Sequence, residues 1–81
     1  MEEKSEKQDY VLDCVGLYCP MPVLKTREEI DRLAIGEVLE MIADDPASEP
    51  DIKAWAKRAG QEIVSIDKEG NYLKFRIKKK Q

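Results

Sequence analysis

The chain has 81 residues, of which 42% are apolar and 38% are charged, and it contains two cysteines and no histidine. This length predicts one small domain with a thin core and no deep active-site cavity. Without histidine the chain cannot form a Cys–His or Ser–His nucleophilic pair, and two cysteines are too few ligands for a zinc site. We therefore expect no bound metal and no cofactor.

The distribution of polar residues predicts a cytoplasmic protein that makes no membrane contact. No segment approaches the roughly 18 apolar residues that span a bilayer, and residues 1–9 are too charged for a secretory signal. In the cytoplasm the cysteines are expected as thiols. Residues 1–50 carry a net charge of −8 and residues 51–81 carry +5. Such asymmetry is common in small domains, and its functional alternative is a docking surface for a charged partner.

The first half of the chain predicts a strand, a helix and a second strand after a solvated tail at residues 1–9. Residues 10–14 are typical of a short strand, and Gly16 opens a turn. A helix is predicted from Pro20, because proline is favoured at the first helical position, and Gly36 suits its C-terminal end. Its buried stripe is predicted at Val23, Thr26, Ile30, Leu33 and Ala34. Residues 37–43 form a nearly continuous apolar run, which predicts a central strand.

The second helix is predicted to start at Ser48 and to stop at Gly60. Ser48 is a good N-cap residue, and Asp51 follows three residues later in a capping-box arrangement. The apolar spacing of this segment predicts an amphipathic helix of about three turns. Its buried residues are predicted to be Ile52, Trp55, Ala56 and Ala59.

Two further strands complete the predicted order βαβαββ. Residues 61–67 predict a strand with Val64 and Ile66 inward, and residues 68–71 predict a hairpin turn. In residues 72–78, apolar side chains alternate with Lys74, Arg76 and Lys78. The predicted fold is an α/β two-layer sandwich, with a four-stranded mixed sheet, two helices on one face and a wet opposite face. The domain is predicted at residues 10–78, and residues 79–81 are expected to be a frayed basic tail.

Cys19 is the candidate reactive residue, because it directly precedes the predicted helix. The positive end of a helix favours an anion, and the thiolate is the nucleophilic form of cysteine. Pro20 and Pro22 lack N–H groups, so this helix start offers fewer donors than usual and favours exposure and a fixed direction over strong acidity. The alternative is that Cys19 serves only packing.

The chemistry best suited to a lone thiol without a histidine base is sulfur transfer. A protease or acyltransferase would need a base and an oxyanion hole, whereas a thiolate can accept a sulfur atom as Cys–S–SH and pass it on. Cys14 lies at a strand end beside apolar residues, which predicts a buried side chain. Its alternative role is to form a disulfide with Cys19 in a redox protein.

The run from Leu12 to Pro22, Leu-Asp-Cys-Val-Gly-Leu-Tyr-Cys-Pro-Met-Pro, resembles the TusA/SirA/YedF family of small sulfur carriers. The resemblance extends across residues 10–78 and includes Gly-Glu-Val-Leu at 36–39 and Ala-Asp-Asp-Pro at 43–46. It implies a sulfurtransferase of two-layer fold, with the acceptor cysteine at Cys19 and the two signature prolines at Pro20 and Pro22. It assigns no role to Cys14.

The resemblance also implies protein partners. Members of this family take persulfide sulfur from a cysteine desulfurase or a rhodanese-like donor and hand it to a downstream acceptor protein. The known relays end in tRNA 2-thiouridine, in molybdenum-cofactor assembly or in sulfur oxidation. Direct nucleic-acid binding is not expected, because Tyr72 is the only aromatic residue that shares the strand face of Lys74, Arg76 and Lys78. A monomer suffices for a carrier.

Two other groups of residues have competing interpretations. A non-catalytic binding module would use Lys74, Arg76 and Lys78 as a basic sheet face, although such faces are usually only solvated. Asp44 and Asp45 most simply end the second strand, and their functional alternative is a positioning role near Cys19.

Overall fold

The computed structural model describes residues 10–18 and 21–81, so the tail expected at residues 1–9 lies outside the described residues. The described part confirms the predicted order βαβαββ. Its elements are β1 (Tyr10–Cys14), α1 (Met21–Arg32), β2 (Val38–Ala43), α2 (Ser48–Ala59), β3 (Glu62–Glu69) and β4 (Tyr72–Lys78).

The described strands form one mixed sheet in the order β1-β2-β4-β3. β1 pairs with β2 in parallel, and β4 pairs antiparallel with both β2 and β3. The apolar run of β2 therefore lies centrally, as predicted, and the last strand of the chain is the other central strand.

Both helices pack on one face of the sheet and bury a single apolar cluster. Residues of β2 and β4 alternate between this covered face and the helix-free face, as the two-residue period of a strand requires. The alternation and the burial of Trp55 confirm the predictions for these elements. The buried side chains include Ile30, Leu39, Met41, Ile52, Trp55, Ala56, Leu73, Phe75 and Ile77.

The first helix ends earlier than its apolar spacing predicts. α1 stops at Arg32, so Ala34 lies beyond the helix and is exposed, whereas Pro22 is buried instead. Gly36, with φ of 98°, belongs to the following turn rather than to the helix end. Polar groups just past the helix end find partners outside it: the Lys79 ammonium donates to the carbonyl oxygen of Leu33 at 2.8 Å, and the Ala34 N–H donates to the Glu37 carboxylate at 2.7 Å.

The predicted N-cap of the second helix is wrong. Ser48 is the first residue of α2 and is buried, and its Oγ has no hydrogen-bond partner among the described residues. The residues ahead of it hold the helix start, because the Asp45 carboxylate accepts the Ala47 N–H at 3.1 Å and the Asp45 carbonyl accepts the Ser48 N–H at 2.9 Å. Gly60 ends the helix in the left-handed conformation, as predicted.

An irregularity in β3 overturns the predicted direction of Val64. The register shifts between Ile63 and Ser65, which is the signature of a β-bulge, and this leaves Val64 half-exposed. Ile63 occupies the core-facing position instead, whereas Ile66 packs against the core as predicted. Gly70, with φ of 61°, forms with Asn71 the two-residue turn between β3 and β4.

Residues 79–81 follow β4 without regular structure, but hydrogen bonds hold them in place, unlike a frayed end. The Lys79 N–H donates to the Glu37 carbonyl at 2.9 Å, and the Lys79 carbonyl accepts the Gly36 N–H at 2.7 Å. The Gln61 side chain accepts the Lys80 N–H at 2.7 Å and donates to the Gln81 carbonyl at 3.2 Å. The charged lysines are therefore anchored through their backbone.

Candidate functional site

The candidate site is the loop between β1 and α1, at the carboxyl ends of the two parallel strands. Cys19 and Pro20 lie outside the described residues. The residues described on either side of them, Tyr18 and Met21, are 74% and 39% exposed. The Met21 N–H donates to the Tyr18 carbonyl at 2.8 Å, so these two flanking residues are held close together.

Three hydrogen bonds fix the loop that leads to Tyr18. The Leu17 N–H donates to the Cys14 carbonyl at 3.1 Å and closes a tight turn. The Val15 N–H donates to the Asp13 carboxylate at 2.9 Å. The Gly16 N–H donates to the Asp44 carboxylate at 3.0 Å. Backbone donors that would otherwise need water are thus satisfied by carboxylates, which form stronger hydrogen bonds than neutral acceptors.

Asp44 connects two parts of the fold that are 28 residues apart in sequence. It directly follows β2, and its hydrogen bond reaches Gly16 in the loop after β1. Gly16 has φ of 86°, a left-handed conformation that strains other residues. Asp44 and Asp45 therefore have separate local functions: Asp44 holds the loop before Cys19, and Asp45 holds the start of α2.

Pro22 anchors the start of α1. It lies in the first helical turn and is buried, while the preceding Met21 stays partly exposed. Its missing N–H costs little here, because the first N–H groups of a helix have no partner within the helix. The second proline of the motif thus packs toward the core.

Cys14 is a free and fully buried thiol on the covered face of the sheet. Burial raises the pKa of this thiol, the Asp13 carboxylate raises it further, and Lys25 partly opposes both effects. A shielded thiol that stays protonated is a poor nucleophile. These properties favour the packing role of Cys14 over the role of disulfide partner.

Comparison with known proteins identifies a family that covers nearly all of the described domain. Residues 10–79 match the family model described as sulfurtransferase TusA. The chain belongs to the sulfurtransferase TusA family. The sulfur carrier protein TusA of Allochromatium vinosum is 41% identical over 71 residues, covering 88% of this chain and 93% of that protein. A protein of Archaeoglobus fulgidus, provisionally named a sulfur carrier, is 46% identical over 68 residues, covering 83% of this chain and 88% of its own.

A solved structure confirms the fold of this TusA-family chain. The crystal structure of a SirA-like protein from Desulfitobacterium hafniense superposes with a TM-score of 0.78 and covers 89% of this chain and 99% of that one. Its sequence identity of 20% makes this a likeness of fold alone. The resemblance drawn from the motif is confirmed, and the named relatives support a sulfur-carrier role.

The helix-free face of this TusA-family chain is not the basic surface that the β4 sequence suggests. Lys74, Arg76 and Lys78 share this face as predicted, but acidic residues of the neighbouring strands stand opposite each of them. The Lys74 ammonium lies 3.7 Å from a Glu69 carboxylate oxygen. The opposed pairs are Asp67 with Lys74, Glu40 with Arg76 and Glu62 with Lys78. The alternative of a basic docking face is therefore not favoured. The acidic residues are brought here by the strand register, which cannot be read from the β4 sequence alone.

Two other properties of the described part bear on the site. Residues 10–18 and 21–81 contain no group of three or more acidic or cysteine side chains placed to hold a metal ion. None of their helices is both long and apolar enough to cross a bilayer.

The residues predicted for the site do not include Asp13, although its carboxylate accepts a loop hydrogen bond. An aspartate two residues before a turn N–H is a known local signal, because its side chain can accept that hydrogen bond. The sequence does indicate Asp44 as a candidate, but its contact with Gly16 depends on the pairing of β1 with β2 and has no local signature.

Proposed function

We propose that this chain is a sulfur carrier that accepts persulfide sulfur on Cys19 and passes it to a downstream protein. The observation that carries the proposal is the family match over residues 10–79, which spans Cys19 and both signature prolines, Pro20 and Pro22. The geometry around the motif supports it, since the flanking Tyr18 and Met21 are exposed and the loop before them is fixed.

The transfer needs two exchange steps at one thiol. In the first, the Cys19 thiolate attacks the outer sulfur of a donor persulfide, and the donor's sulfur–sulfur bond breaks to release the donor thiolate. Cys19 then holds the sulfur as a persulfide. In the second, an acceptor thiolate attacks that outer sulfur, and Cys19 leaves as a thiolate. Each step forms one sulfur–sulfur bond and breaks another, so no external oxidant or reductant is required.

The partners in this proposal are proteins. Members of a sulfur-carrier family exchange sulfur with donor and acceptor proteins, and we propose a cysteine desulfurase or a rhodanese-like protein as the donor. The acceptor belongs to a sulfur relay such as tRNA thiolation or another sulfur-trafficking route. The proposed carrier works in the cytoplasm as a monomer and does not itself bind nucleic acid.

Sulfur loading tests the proposal directly. The protein is incubated with a cysteine desulfurase and cysteine, and its intact mass is measured before and after reduction. We expect a reducible gain of one sulfur atom on the wild type and on Cys14→Ser, and no gain on Cys19→Ser. The Cys14 variant is the matched control, because it removes the chain's other thiol. Loading that persists on Cys19→Ser would contradict the proposal.

A further inference from the structure

A groove of about 520 Å³ lies at one end of the helix-free face, next to the loop before Cys19. β1 and β2 end there, while β4 begins and β3 ends at the same edge. Val15 contributes to the groove from the loop itself. The groove is lined by Val11, Asp13, Val15, Ile42, Glu69, Tyr72 and Lys74.

The floor and walls of this groove are largely apolar although they face solvent. Val11 is 64% exposed, Tyr72 49% and Val15 40%. Strand pairing places Ile42 beside Asp13 of β1 and Lys74 of β4, so it lies between them on the floor. Apolar side chains that gather on an otherwise highly charged surface mark an interaction site. Walls this exposed cannot enclose a small molecule, whose sites usually bury 70–90% of the ligand.

The charges around the groove favour a basic occupant. Asp13 and Glu69 supply two carboxylates, and Asp67 stands opposite Lys74 on the same face. Lys74 is the one basic residue that lines the described groove, and its ammonium already lies 3.7 Å from Glu69. The carboxylates therefore exceed the cations, and an occupant with positive charge beside its apolar side chains complements both properties.

We propose that this groove docks an extended segment of a partner protein, in which apolar side chains are flanked by Lys or Arg. We take the partner to be a protein that exchanges sulfur with this chain. The identity of the partner therefore rests on the proposed function, whereas the existence of the groove does not. A segment seated between Val15 and Tyr72 lies beside the loop that leads to Cys19, so docking there brings the partner to the candidate site.

A peptide titration followed by NMR tests the groove without any sulfur chemistry. The probe is an eight-residue peptide of alternating leucine and lysine, and its counterpart alternates leucine and glutamate. We expect the basic peptide to shift the signals of Val11, Val15, Ile42 and Tyr72 in a saturable manner. The acidic peptide should bind at least about threefold more weakly, since charge pairs at a surface contribute modestly.

Two matched pairs of variants separate the groove from the rest of the sheet. Val11→Ser should weaken binding about three- to tenfold by removing apolar contact, whereas Val64→Ser, at an exposed valine outside the groove, should not. Glu69→Gln should weaken it about two- to fivefold, whereas Glu62→Gln should not. Both glutamates lie on β3 with a lysine ammonium 3.7 Å away, so they differ chiefly in position.

Several results would overturn the inference. These are no saturable shift with the basic peptide, equal binding of both peptides, shifts confined to α1 or α2, or equal effects of the paired variants. Concentration-dependent dimerisation that shifts the same signals would assign the groove to a second copy of the chain instead. Sulfur loading of Cys19 is measured separately, so a failed titration with normal loading refutes the groove and leaves the carrier function standing.

Discussion

The two faces of the sheet have opposite compositions on the same strands. On β4, Phe75 and Ile77 are fully buried on the covered face, while Lys74 and Arg76 lie among acidic neighbours on the helix-free face. The covered face supplies apolar burial, which is the main source of folding free energy in so small a domain. The helix-free face contributes less to stability and keeps exposed apolar side chains near the candidate site. Alternate residues of one strand thus contribute to stability on the covered face and, in our proposal, to partner binding on the helix-free face.

The largest difference between the faces is expected for aromatic residues of β4. Phe75→Ala should lower the free energy of unfolding by about 3–5 kcal/mol, because it leaves a cavity in the core. Tyr72→Ala, on the helix-free face of the same strand, should cost about 1 kcal/mol or less. Urea denaturation followed by circular dichroism measures both values. Similar losses for the two variants would show that the faces share the stabilising burial.

The second prediction concerns the thiol on the covered face. In the Cys19→Ser variant, Cys14 is the sole thiol, and it should react with an alkylating reagent at least about 100-fold more slowly in the native protein than in urea. Alkylation at pH 8, quantified by mass spectrometry, measures the ratio. Rapid native labelling would mean that Cys14 is accessible and would reopen its role as disulfide partner.

The same thiol gives stability a pH dependence of known sign. Burial raises the pKa of Cys14 in the folded protein, so the unfolded chain loses this proton first as pH rises. Its contribution to stability is therefore intact below the ordinary thiol pKa of about 8.5 and is lost progressively as the pH rises from that value through the raised pKa of the folded protein. Cys14→Ala should flatten this part of the curve of unfolding free energy against pH. An unchanged curve would contradict the raised pKa.

A fourth prediction concerns the loop that joins the sheet to α1. Asp44→Ala removes the acceptor of the Gly16 N–H, and amide exchange at Gly16 should accelerate about two- to tenfold. Asp44→Asn keeps an acceptor oxygen and should show less than half of this effect. Hydrogen exchange by NMR measures both. If Asp44 has the positioning role near Cys19, sulfur loading should slow in the same order for the two variants. Unchanged Gly16 exchange in Asp44→Ala would show that Asp44 does not hold the loop.

The smallest expected effect distinguishes two adjacent lysines. Lys79 donates to the Leu33 carbonyl near the end of α1, so Lys79→Met should cost about 0.5–1 kcal/mol. Lys78 lies on the helix-free face, and Lys78→Met should change stability by about 0.5 kcal/mol or less. Thermal denaturation of the two variants decides the comparison. Equal effects would mean that the contact at the helix end contributes nothing measurable.

The element order and the covered face could be predicted from the sequence, because they follow from local periodicity. The alternation in β4 and the spacing of Ile52, Trp55 and Ala56 repeat at the periods of a strand and a helix. The failures lie where tertiary contacts override local preference. The exposed Val64 results from a bulge, and the early end of α1 coincides with the Lys79 contact.

The candidate site was predictable in its motif and not in its surroundings. The residues from Gly16 to Pro22 are contiguous in the sequence, so the family resemblance can be recognised from the sequence alone. The support from Asp44 and the groove beneath Val11 and Tyr72 depend on which strands pair and in what register. The paired strands are distant in the sequence, so local sequence patterns do not predict their register. These features can therefore be seen only in the three-dimensional structure.

The position of β4 also has a consequence for synthesis of the protein. It follows β3 in the sequence, yet it lies between β2 and β3 in the sheet and provides the hydrogen-bonded partner of both. A nascent chain that ends before Tyr72 leaves β3 without a strand neighbour and the core without Leu73, Phe75 and Ile77. The sheet of this domain therefore closes only after residues 72–78 have left the ribosome, so the domain cannot complete its core while it is still being made.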